Sequence, residues 1–326
     1  MRRAARPRFV DLFAGAGLLS HAFAAEGFSP LRAVERDPVA AATCRENLGG
    51  VVEVQDVRRA RPEGRCEVLV AGPPCQGYSS IGPRRSRDPR NLLCLEVVRW
   101  ARAMRPLVVV VENVPRFLES PTWSLLAERL AALGYRVTSV VLEASDFGVP
   151  QHRVRSFTFA TRAGTPVPEP PRLRAPRTVR DALADLSPRP DGRDLHHAPR
   201  PSPLALARIR LVPPGGDRRD ILRRDPSLAP RSWLGLGSQA TDLWGRLRWD
   251  RPANTLRTRF QNASLGRNLH PSADRVISLR EGARLQSIPD GWRFLGLPTQ
   301  VTRQIGNSVP PLLGRAVARA VRAALG

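Results

Sequence analysis

The sequence predicts an α/β fold with a doubly wound, mostly parallel sheet and a second, smaller and irregular domain. Through the first half of the chain, short apolar runs alternate with amphipathic stretches. Such an alternation of strands and helices is typical of a parallel sheet covered by helices. Beyond residue 162 the pattern ends, and residues 163–250 hold 14 of the 32 prolines. Because proline removes a backbone donor and breaks regular elements, we expect this second part to be mostly irregular.

Seven strands are predicted from short runs of apolar residues, which in chain order are residues 9–13, 31–34, 51–54, 67–71, 107–111, 136–142 and 156–160. Helices are predicted from the stretches between and after them, at residues 20–26, 38–48, 91–104, 123–133 and 310–324. The last helix carries Leu313, Val317, Ala320 and Val321 on one side, which is the spacing of a buried helical face. The three tryptophans of residues 163–250 predict that the irregular part also packs around some apolar side chains.

The charge of the chain favours a nucleic acid as partner. The formal net charge is +23, and all 52 basic residues are arginine. A positive field of this size attracts polyanions and supports phosphate contacts that do not depend on base sequence. A basic surface without any partner stays open as the alternative.

The cysteines and the apolar runs indicate the compartment. Cys44, Cys66, Cys75 and Cys94 are scattered, without a C-x-x-C pair, which argues against a zinc site and a disulfide framework, so we expect no metal. The longest apolar run, residues 107–111, is far too short to span a membrane. No secretory signal follows the basic start. We therefore expect a cytoplasmic protein with no membrane partner.

A glycine loop and two carboxylates point to a ligand that contains adenosine. The sequence Asp11-Leu-Phe-Ala-Gly-Ala-Gly17 lies between the first predicted strand and helix, where glycine lets the backbone turn and approach a ligand. Glu35 follows the next strand, where a carboxylate can hold ribose hydroxyls, and Asp56 follows the third. The dinucleotide fingerprint has a third glycine where this chain has Ser20, so NAD is a poor fit.

A thiol and a carboxylic acid follow two further strands. Cys75 lies in the loop Gly72-Pro-Pro-Cys-Gln-Gly-Tyr-Ser79, and we weigh a reactive thiol against a buried structural one. Glu112 ends the fifth strand, which places it on the same sheet edge as Cys75. A nucleophile and an acid at one crevice suit addition to a heteroaromatic ring. Strand alternation predicts Arg153 and Arg155 on one face, where they can hold a carbonyl oxygen or a phosphate.

Taken in order, these motifs resemble the DNA (cytosine-5) methyltransferase family over nearly the whole chain. The specific ones are P-P-C-Q at 73–76, E-N-V at 112–114, Q-x-R-x-R at 151–155 and G-N-S-V-P-P at 306–311. Thr255–Thr258 and residues 280–289 also resemble the family's block after its variable region. The resemblance implies a Rossmann-like, S-adenosylmethionine-dependent methyltransferase sheet. Residues 1–165 plus 301–326 would form the catalytic and cofactor-binding domain, and residues 166–300 a small target-recognition domain.

The resemblance implies methyl transfer from S-adenosylmethionine to carbon 5 of a flipped-out cytosine in a specific duplex DNA sequence. It implies four catalytic residues, Cys75, Glu112, Arg153 and Arg155, with Cys75 attacking C6 of the base. It implies a set of cofactor-binding residues, namely Phe13, Ala14, Gly15, Gly17, Glu35, Asp56, Val57, Pro74, Leu92, Asn307 and Ser308. The DNA contacts that we predict are Gln76, Ser79, Arg84, Arg85, Arg257 and Arg259, and Gln261 and Asn262 are further candidates for reading base edges.

Three departures from the family pattern touch the cofactor loop and the thiol loop. Leu18 stands where a third glycine is frequent, Arg36 where an apolar or aromatic neighbour of the adenine is common, and Tyr78 where phenylalanine is usual.

Two alternatives are weighed against DNA methylation. A transfer RNA cytosine-5 methyltransferase has little room for a target domain, whereas residues 163–250 provide it here. A catalytically inactive DNA-binding relative would not need Cys75 and Glu112. We expect a monomer, and a cognate restriction endonuclease as functional partner stays open.

Overall fold

The first half of the chain folds into the predicted sheet. The computed structural model describes residues 6–74, 89–162, 166–173, 175–236 and 240–326. Within these ranges seven strands form one sheet: β1 (Arg8–Leu12), β2 (Ser29–Glu35), β3 (Val52–Val54), β4 (Val68–Ala71), β5 (Val108–Asn113), β6 (Arg136–Glu143) and β7 (Val154–Thr161). Each strand begins and ends within two residues of its prediction, because buried strands of a parallel sheet are continuous apolar runs.

The sheet order places the carboxyl ends of five parallel strands at one edge. The order is β3-β2-β1-β4-β5-β7-β6. Strands β1 to β5 pair in parallel, while β7 is antiparallel to β5 and to β6. The chain thus forms a mixed, mostly parallel α/β sheet, which confirms the predicted fold class. In such sheets ligands bind at the carboxyl ends of the parallel strands.

Ten α-helices lie in the described ranges: α1 (Leu18–Ala25), α2 (Pro38–Leu48), α3 (Glu96–Met104), α4 (Pro121–Ala132), α5 (Val179–Leu183), α6 (Pro203–Arg210), α7 (Arg218–Arg224), α8 (Leu279–Leu285), α9 (Pro298–Asn307) and α10 (Pro311–Leu325). Helix α2 has the predicted bounds because Asp37 accepts hydrogen bonds from two backbone N–H groups of its first turn and Gly49 ends it. The helix predicted at 91–104 was too long, since a 3₁₀ turn, Pro89–Leu95, precedes α3. None of the described helices is both long and apolar enough to cross a membrane.

The chain forms two compact units. The first contains residues 1–147, 154–172 and 309–326, and the second contains residues 148–153 and 173–308. Residues 301–308, which we predicted with the catalytic domain, therefore belong to the second unit. In the first unit, α3 and α4 pack on the sheet through a core in which Trp100 is fully buried. Helix α10 packs on α1, where Glu26 accepts hydrogen bonds from Arg315 at 2.6 Å and Arg319 at 3.0 Å.

The second unit contains more regular structure than the proline count predicts. The short helices α5, α6 and α7 all lie in the stretch expected to be mostly irregular. Trp233 and Trp244 pack edge to face, with ring centroids 6.0 Å apart, inside a core that also buries Ile209 and Ile221. The expected packing around tryptophan is thus confirmed for these two side chains.

Arginine side chains hold the irregular backbone of the second unit. Buried Arg246 donates hydrogen bonds to the carbonyl oxygens of Ile209, Val212, His270 and Ala273 at 2.7 to 3.0 Å. Such side-chain bonds satisfy carbonyl groups that no helix or sheet ladder pairs.

Candidate active site

A strained loop connects β1 to α1. Phe13 has a φ of 61°, which is uncommon for a residue with a side chain, and Gly15 and Gly17 have φ values of 57° and 85°. A Cβ atom added to Gly17 would lie 2.6 Å from Sγ of Cys44, so glycine is required there for space as well as for conformation. Leu18, the departure from the family pattern, is the buried first residue of α1. The loop is thus specified by Gly17, and the residue that follows it contributes to the core.

Glu35 fixes this loop from the end of β2. Its Oε2 accepts a hydrogen bond from N–H of Gly15 at 2.8 Å, and its Oε1 accepts one from N–H of Asp37 at 2.7 Å. A Cβ atom added to Gly15 would meet nothing within 4 Å. The backbone at Gly15 therefore borders open space, beside a carboxylate whose oxygens have further lone pairs.

Three other predicted cofactor residues of the first unit, Asp56, Val57 and Leu92, differ in how exposed their side chains are. Asp56 lies two residues beyond β3, and its two carboxylate oxygens accept hydrogen bonds from Arg58 at 3.0 and 2.6 Å. Those hydrogen bonds lower the pKa of Asp56 to about 2. Val57 is buried in the core of the sheet, whereas Leu92 is 57% exposed. The structure therefore makes Asp56 an anion in neutral solution and leaves the Leu92 side chain accessible.

Glu112 and Arg155 form an ion pair at the carboxyl end of β5. Glu112 lies within β5, one residue before its end, and Arg155 is the second residue of β7. Nε of Arg155 is 3.0 Å from Oε1 of Glu112, and the two side chains are only 15% and 12% exposed. A Cβ atom added to Gly72, just beyond β4, would lie 3.7 Å from Oε2 of Glu112. The chain that leads to Cys75 thus passes beside this ion pair.

Asn113 connects the end of β5 to the proline loop, a role that the sequence did not reveal to us. Its Nδ2 donates to the carbonyl oxygen of Pro73 at 3.4 Å, and its Oδ1 accepts from N–H of Val114. The hydroxyl of Ser156 donates to the carbonyl oxygens of both Asn113 and Val114. Asparagine directly after the predicted acid Glu112 was the available signal, since a polar residue that ends a buried strand needs hydrogen-bond partners.

Asp11 is a second group that the sequence did not single out. It is 1% exposed, beneath the glycine loop, and its Oδ2 accepts a hydrogen bond from the hydroxyl of Ser20 at 2.5 Å. Burial raises its pKa from an ordinary 3.8 to about 7, and the negative charge of Glu35 adds to the shift. A buried carboxyl group that is partly protonated near neutral pH therefore connects β1 to α1 through the hydroxyl of Ser20.

The three described cysteines are unsuited to nucleophilic chemistry. Cys44, Cys66 and Cys94 are buried, and burial raises the pKa of each thiol to about 12. Each thiol is therefore protonated near neutral pH, whereas the thiolate is the nucleophile. Several predicted residues of the thiol loop lie outside the described residues, namely Cys75, Gln76, Ser79, Arg84 and Arg85. Pro74, the last described residue before them, is half-buried.

The two arginines of the Q-x-R-x-R motif do not share a strand face, so this part of our prediction was wrong. Strand β7 begins at Val154, and Arg153 precedes it. Arg153 is 1% exposed and donates hydrogen bonds to the carbonyl oxygens of Leu256, Gly306 and Ser308. Strand alternation does not apply because only Arg155 has strand conformation.

The residues of the second unit that we predicted to contact DNA or cofactor differ in their exposure and in their hydrogen bonds to the rest of the unit. Arg259 and Asn307 are exposed, and Nη2 of Arg257 lies 3.9 Å from Oδ2 of Asp242. The hydroxyl of Ser308 donates to the carbonyl oxygen of Ile305. The two further candidates are held within the unit, since Gln261 donates to the carbonyl oxygen of His197 and Asn262 accepts from N–H of Ser264.

Comparison with known proteins gives a consistent result. A family model described as C-5 cytosine-specific DNA methylase matches residues 7–199 and 232–323. The chain is 30% identical over 430 aligned positions to the type II methyltransferase M.AgeI of Thalassovita gelatinovora, with 97% of this chain and 99% of the relative covered. It is 34% identical to M.XorII of Xanthomonas oryzae, with 98% and 85% covered. A solved structure of the Entamoeba histolytica methyltransferase EhMeth has the same fold, with a TM-score of 0.72 at 15% identity over 98% of this chain and 99% of that one.

Proposed function

Because the chain belongs to the C-5 cytosine-specific DNA methylase family, we propose that it methylates carbon 5 of cytosine in a specific duplex DNA sequence with S-adenosylmethionine as methyl donor. The chain is a DNA cytosine-5 methyltransferase. One observation carries the finer proposal: the Glu112–Arg155 ion pair lies beside Gly72, three residues before Cys75. An acid and a cation thereby lie beside the stretch of chain that leads to Cys75.

Cys75 is the nucleophile in this proposal. It is supported by the chemistry of the other three cysteines, whose raised pKa values keep them protonated. Cys75 follows two prolines in a polar loop, and this sequence does not predict a buried side chain. The Cys75 thiolate adds to C6 of the base, forming a carbon–sulfur bond and making C5 electron-rich. Once C5 carries the methyl group, with S-adenosylhomocysteine as the leaving group, C5 loses its proton to solvent water and the Cys75–C6 bond breaks to return the thiolate.

Glu112 and Arg155 act on the opposite edge of the same ring. Glu112 engages N3 and the exocyclic amine, so that negative charge arising on the ring during thiolate addition is neutralised by a proton. Arg155 donates hydrogen bonds to the carbonyl oxygen at C2 and keeps Glu112 oriented through their 3.0 Å contact. Low exposure of both side chains strengthens these interactions, since the local dielectric is lower than that of water.

The first unit fits S-adenosylmethionine, which supplies an electrophilic methyl group when bound. Gly15 borders open space, as a loop that faces a ligand requires. The oxygens of Glu35 can accept from ribose hydroxyls while they hold the loop. Asp56 is an anion that can accept from an adenine amino group. Asn307 and Ser308 stay further proposed contacts of the cofactor.

DNA is the substrate, and we propose that the second unit is the target-recognition domain. A cytosine inside a duplex is inaccessible, so the base must leave the stack at a cost of a few kcal/mol. The net charge of +23 supports the phosphate contacts that offset this cost. The relatives that are called type II methyltransferases suggest a restriction endonuclease as functional partner.

The proposal is tested with duplex DNA of random sequence that contains 5-fluorocytosine, incubated with the protein and S-adenosylmethionine. Fluorine at C5 blocks the last elimination, so the base stays bonded to the nucleophile. We expect a covalent adduct that mass spectrometry maps to Cys75, absent from Cys75→Ser and present in Cys94→Ser, the matched control. An adduct with transfer RNA and none with DNA would reassign the substrate. Absence of any adduct while the cofactor binds would refute the covalent mechanism.

A further inference from the structure

Residues 150–153 and residues 253–256 are held together by a set of short hydrogen bonds inside the second unit. N–H of His152 donates to the carbonyl oxygen of Ala253 at 2.7 Å. The hydroxyl of Thr255 donates to the carbonyl oxygen of His152 at 2.6 Å, and N–H of Leu256 donates to Oε1 of Gln151 at 2.8 Å. Backbone and side chain therefore fix the segment just before Arg257.

Arg153 adds a second segment to this arrangement. Its Nη1 donates to the carbonyl oxygen of Leu256 at 3.3 Å. Its Nη2 donates to the carbonyl oxygens of Gly306 and Ser308 at 2.8 and 2.9 Å. Because the guanidinium is planar and its donors have fixed directions, it sets the relative position of these two stretches of backbone.

The two stretches also pack directly on each other. A Cβ atom added to Gly306 would lie 2.7 Å from the carbonyl carbon and oxygen of Arg257 and from Cα of Thr258. Arg257 and Asn307 follow two of the three bonded carbonyl groups, and they are half-exposed and exposed, respectively. A buried side chain thus fixes the backbone from which two accessible polar side chains project.

We propose that Arg153 is a positioning residue that holds the DNA-facing segment at Arg257 and the cofactor-facing segment at Asn307 in one arrangement. The proposal rests on the function proposed above, which assigns Arg257 to DNA and Asn307 to S-adenosylmethionine. A direct contact of Arg153 with the target base, as its motif suggests, would require a side chain that reaches the substrate. Arg153 is instead 1% exposed and bonded to three carbonyl oxygens.

The test compares Arg153→Met and Arg153→Lys with the wild-type protein in two binding experiments without turnover. S-adenosylhomocysteine is titrated in the absence of DNA, and duplex DNA is titrated in the absence of cofactor. Loss of charge-assisted hydrogen bonds predicts a roughly tenfold to hundredfold weaker Kd for both in Arg153→Met. Arg153→Lys keeps the charge and part of the bonding, so we expect an intermediate loss. For methyl transfer by Arg153→Met we expect the fold decrease in kcat, measured at saturating substrates, to be smaller than the fold increase in the KM of either substrate.

Arg246→Met is the matched control, because Arg246 is also buried in the second unit and bonded to four carbonyl oxygens. It should lower the midpoint of urea unfolding and leave both Kd values within about twofold. Equal weakening by Arg246→Met would reduce Arg153 to a general stabiliser. An unchanged Kd for S-adenosylhomocysteine in Arg153→Met, with a large loss of kcat, would assign Arg153 to the base instead.

Thr255→Val covers the case in which Arg153→Met does not fold. The residue is exposed, and its substitution removes only the 2.6 Å hydrogen bond to His152. We expect weaker binding of DNA with unchanged binding of S-adenosylhomocysteine, and unchanged DNA binding would contradict the proposal. Failure of the proposed function is seen separately, because the wild-type protein would then form no adduct with 5-fluorocytosine DNA.

Discussion

Replacing Asp11 with asparagine tests whether the buried carboxyl group in β1 is protonated in the folded protein. Asp11 is fully buried, and burial raises its pKa to about 7 from an ordinary value of 3.8. Asparagine has the same shape, stays neutral at every pH and can still accept the hydrogen bond of Ser20. The substitution therefore removes the titration, and its buried amide NH2 group, placed where Oδ1 of Asp11 has no hydrogen-bond partner, adds a cost that does not depend on pH.

The sign of the effect follows from which state keeps the proton. Between pH 3.8 and about 7 the unfolded chain loses the proton of Asp11 while the folded chain keeps it. Folding stability from this group is fully present below pH 3.8, decreases as the pH rises towards 7 and is constant above. At about 1.4 kcal/mol per pH unit, the stretch from pH 5.5 to pH 7 costs about 2 kcal/mol. Asp11→Asn should not show this decrease.

The free energy of unfolding is measured by urea denaturation at about pH 5.5 and pH 8.5 for both proteins. The difference between wild type and Asp11→Asn should change by about 2 kcal/mol between the two pH values, in favour of the variant at high pH. Asp290→Asn is the control, because its pairing with Arg284 lowers the pKa of Asp290 and both states are ionised throughout this range. A wild-type-minus-variant difference that does not change with pH would refute the buried, protonated Asp11.

Three further predictions concern the loop, the acid and the second unit. Gly17→Ala should lower the free energy of unfolding by about 2–4 kcal/mol, because of the positive φ at this position and the clash of the added Cβ with Cys44. Adding Cys44→Ala should recover only the part of this loss that comes from the clash, which a double-mutant cycle in urea will measure. Glu112→Gln should fold but lose roughly 10²–10⁴ in kcat, measured by methyl transfer, and a kcat near that of wild type would exclude Glu112 as the acid. Arg275→Met should lower the unfolding free energy by about 3–5 kcal/mol, because it leaves the buried carboxylate of Glu281 without its bidentate partner. The double variant Arg275→Met/Glu281→Met should lose less, since no unpaired buried charge remains. Equal losses of unfolding free energy in urea would contradict this prediction.

The sheet was predictable because its elements carry local signals. Central parallel strands are apolar on both faces, so each one is a continuous run in the sequence. Helix α2 has Asp37 before Pro38 and Gly49 after its end, which are start and stop signals with a steric and hydrogen-bonding basis. The position of Glu112 at the carboxyl end of β5 was predictable because the ends of neighbouring parallel strands meet at one edge, a rule that needs no knowledge of distant contacts.

The contacts that were missed depend on burial and on partners far away in the sequence. Asp11 appears in the sequence as one more acid, and only its burial beneath the loop raises its pKa. Arg153 was placed on a strand face because the strand was taken to include it, while its hydrogen-bond acceptors are more than 100 residues away. Helices α5, α6 and α7 of the second unit have five, eight and seven residues, too few for a clear helical period.

The hydrogen bonds from arginine side chains to backbone carbonyl groups in the second unit have a consequence for how the loops of this unit can change in length. In a sheet, one inserted residue shifts the register of a strand and turns every later side chain to the opposite face. Around Arg246 the carbonyl groups belong to two separate segments, the end of α6 with Val212 and the loop that contains His270 and Ala273, so an added residue in one segment leaves the acceptors of the other in place. The stretch 200–231, absent from the family match, includes α6 and α7 of this unit. A unit held in this way can lengthen, shorten and exchange loops while the sheet of the first unit stays unchanged, which is what the target-recognition role that we propose for it requires.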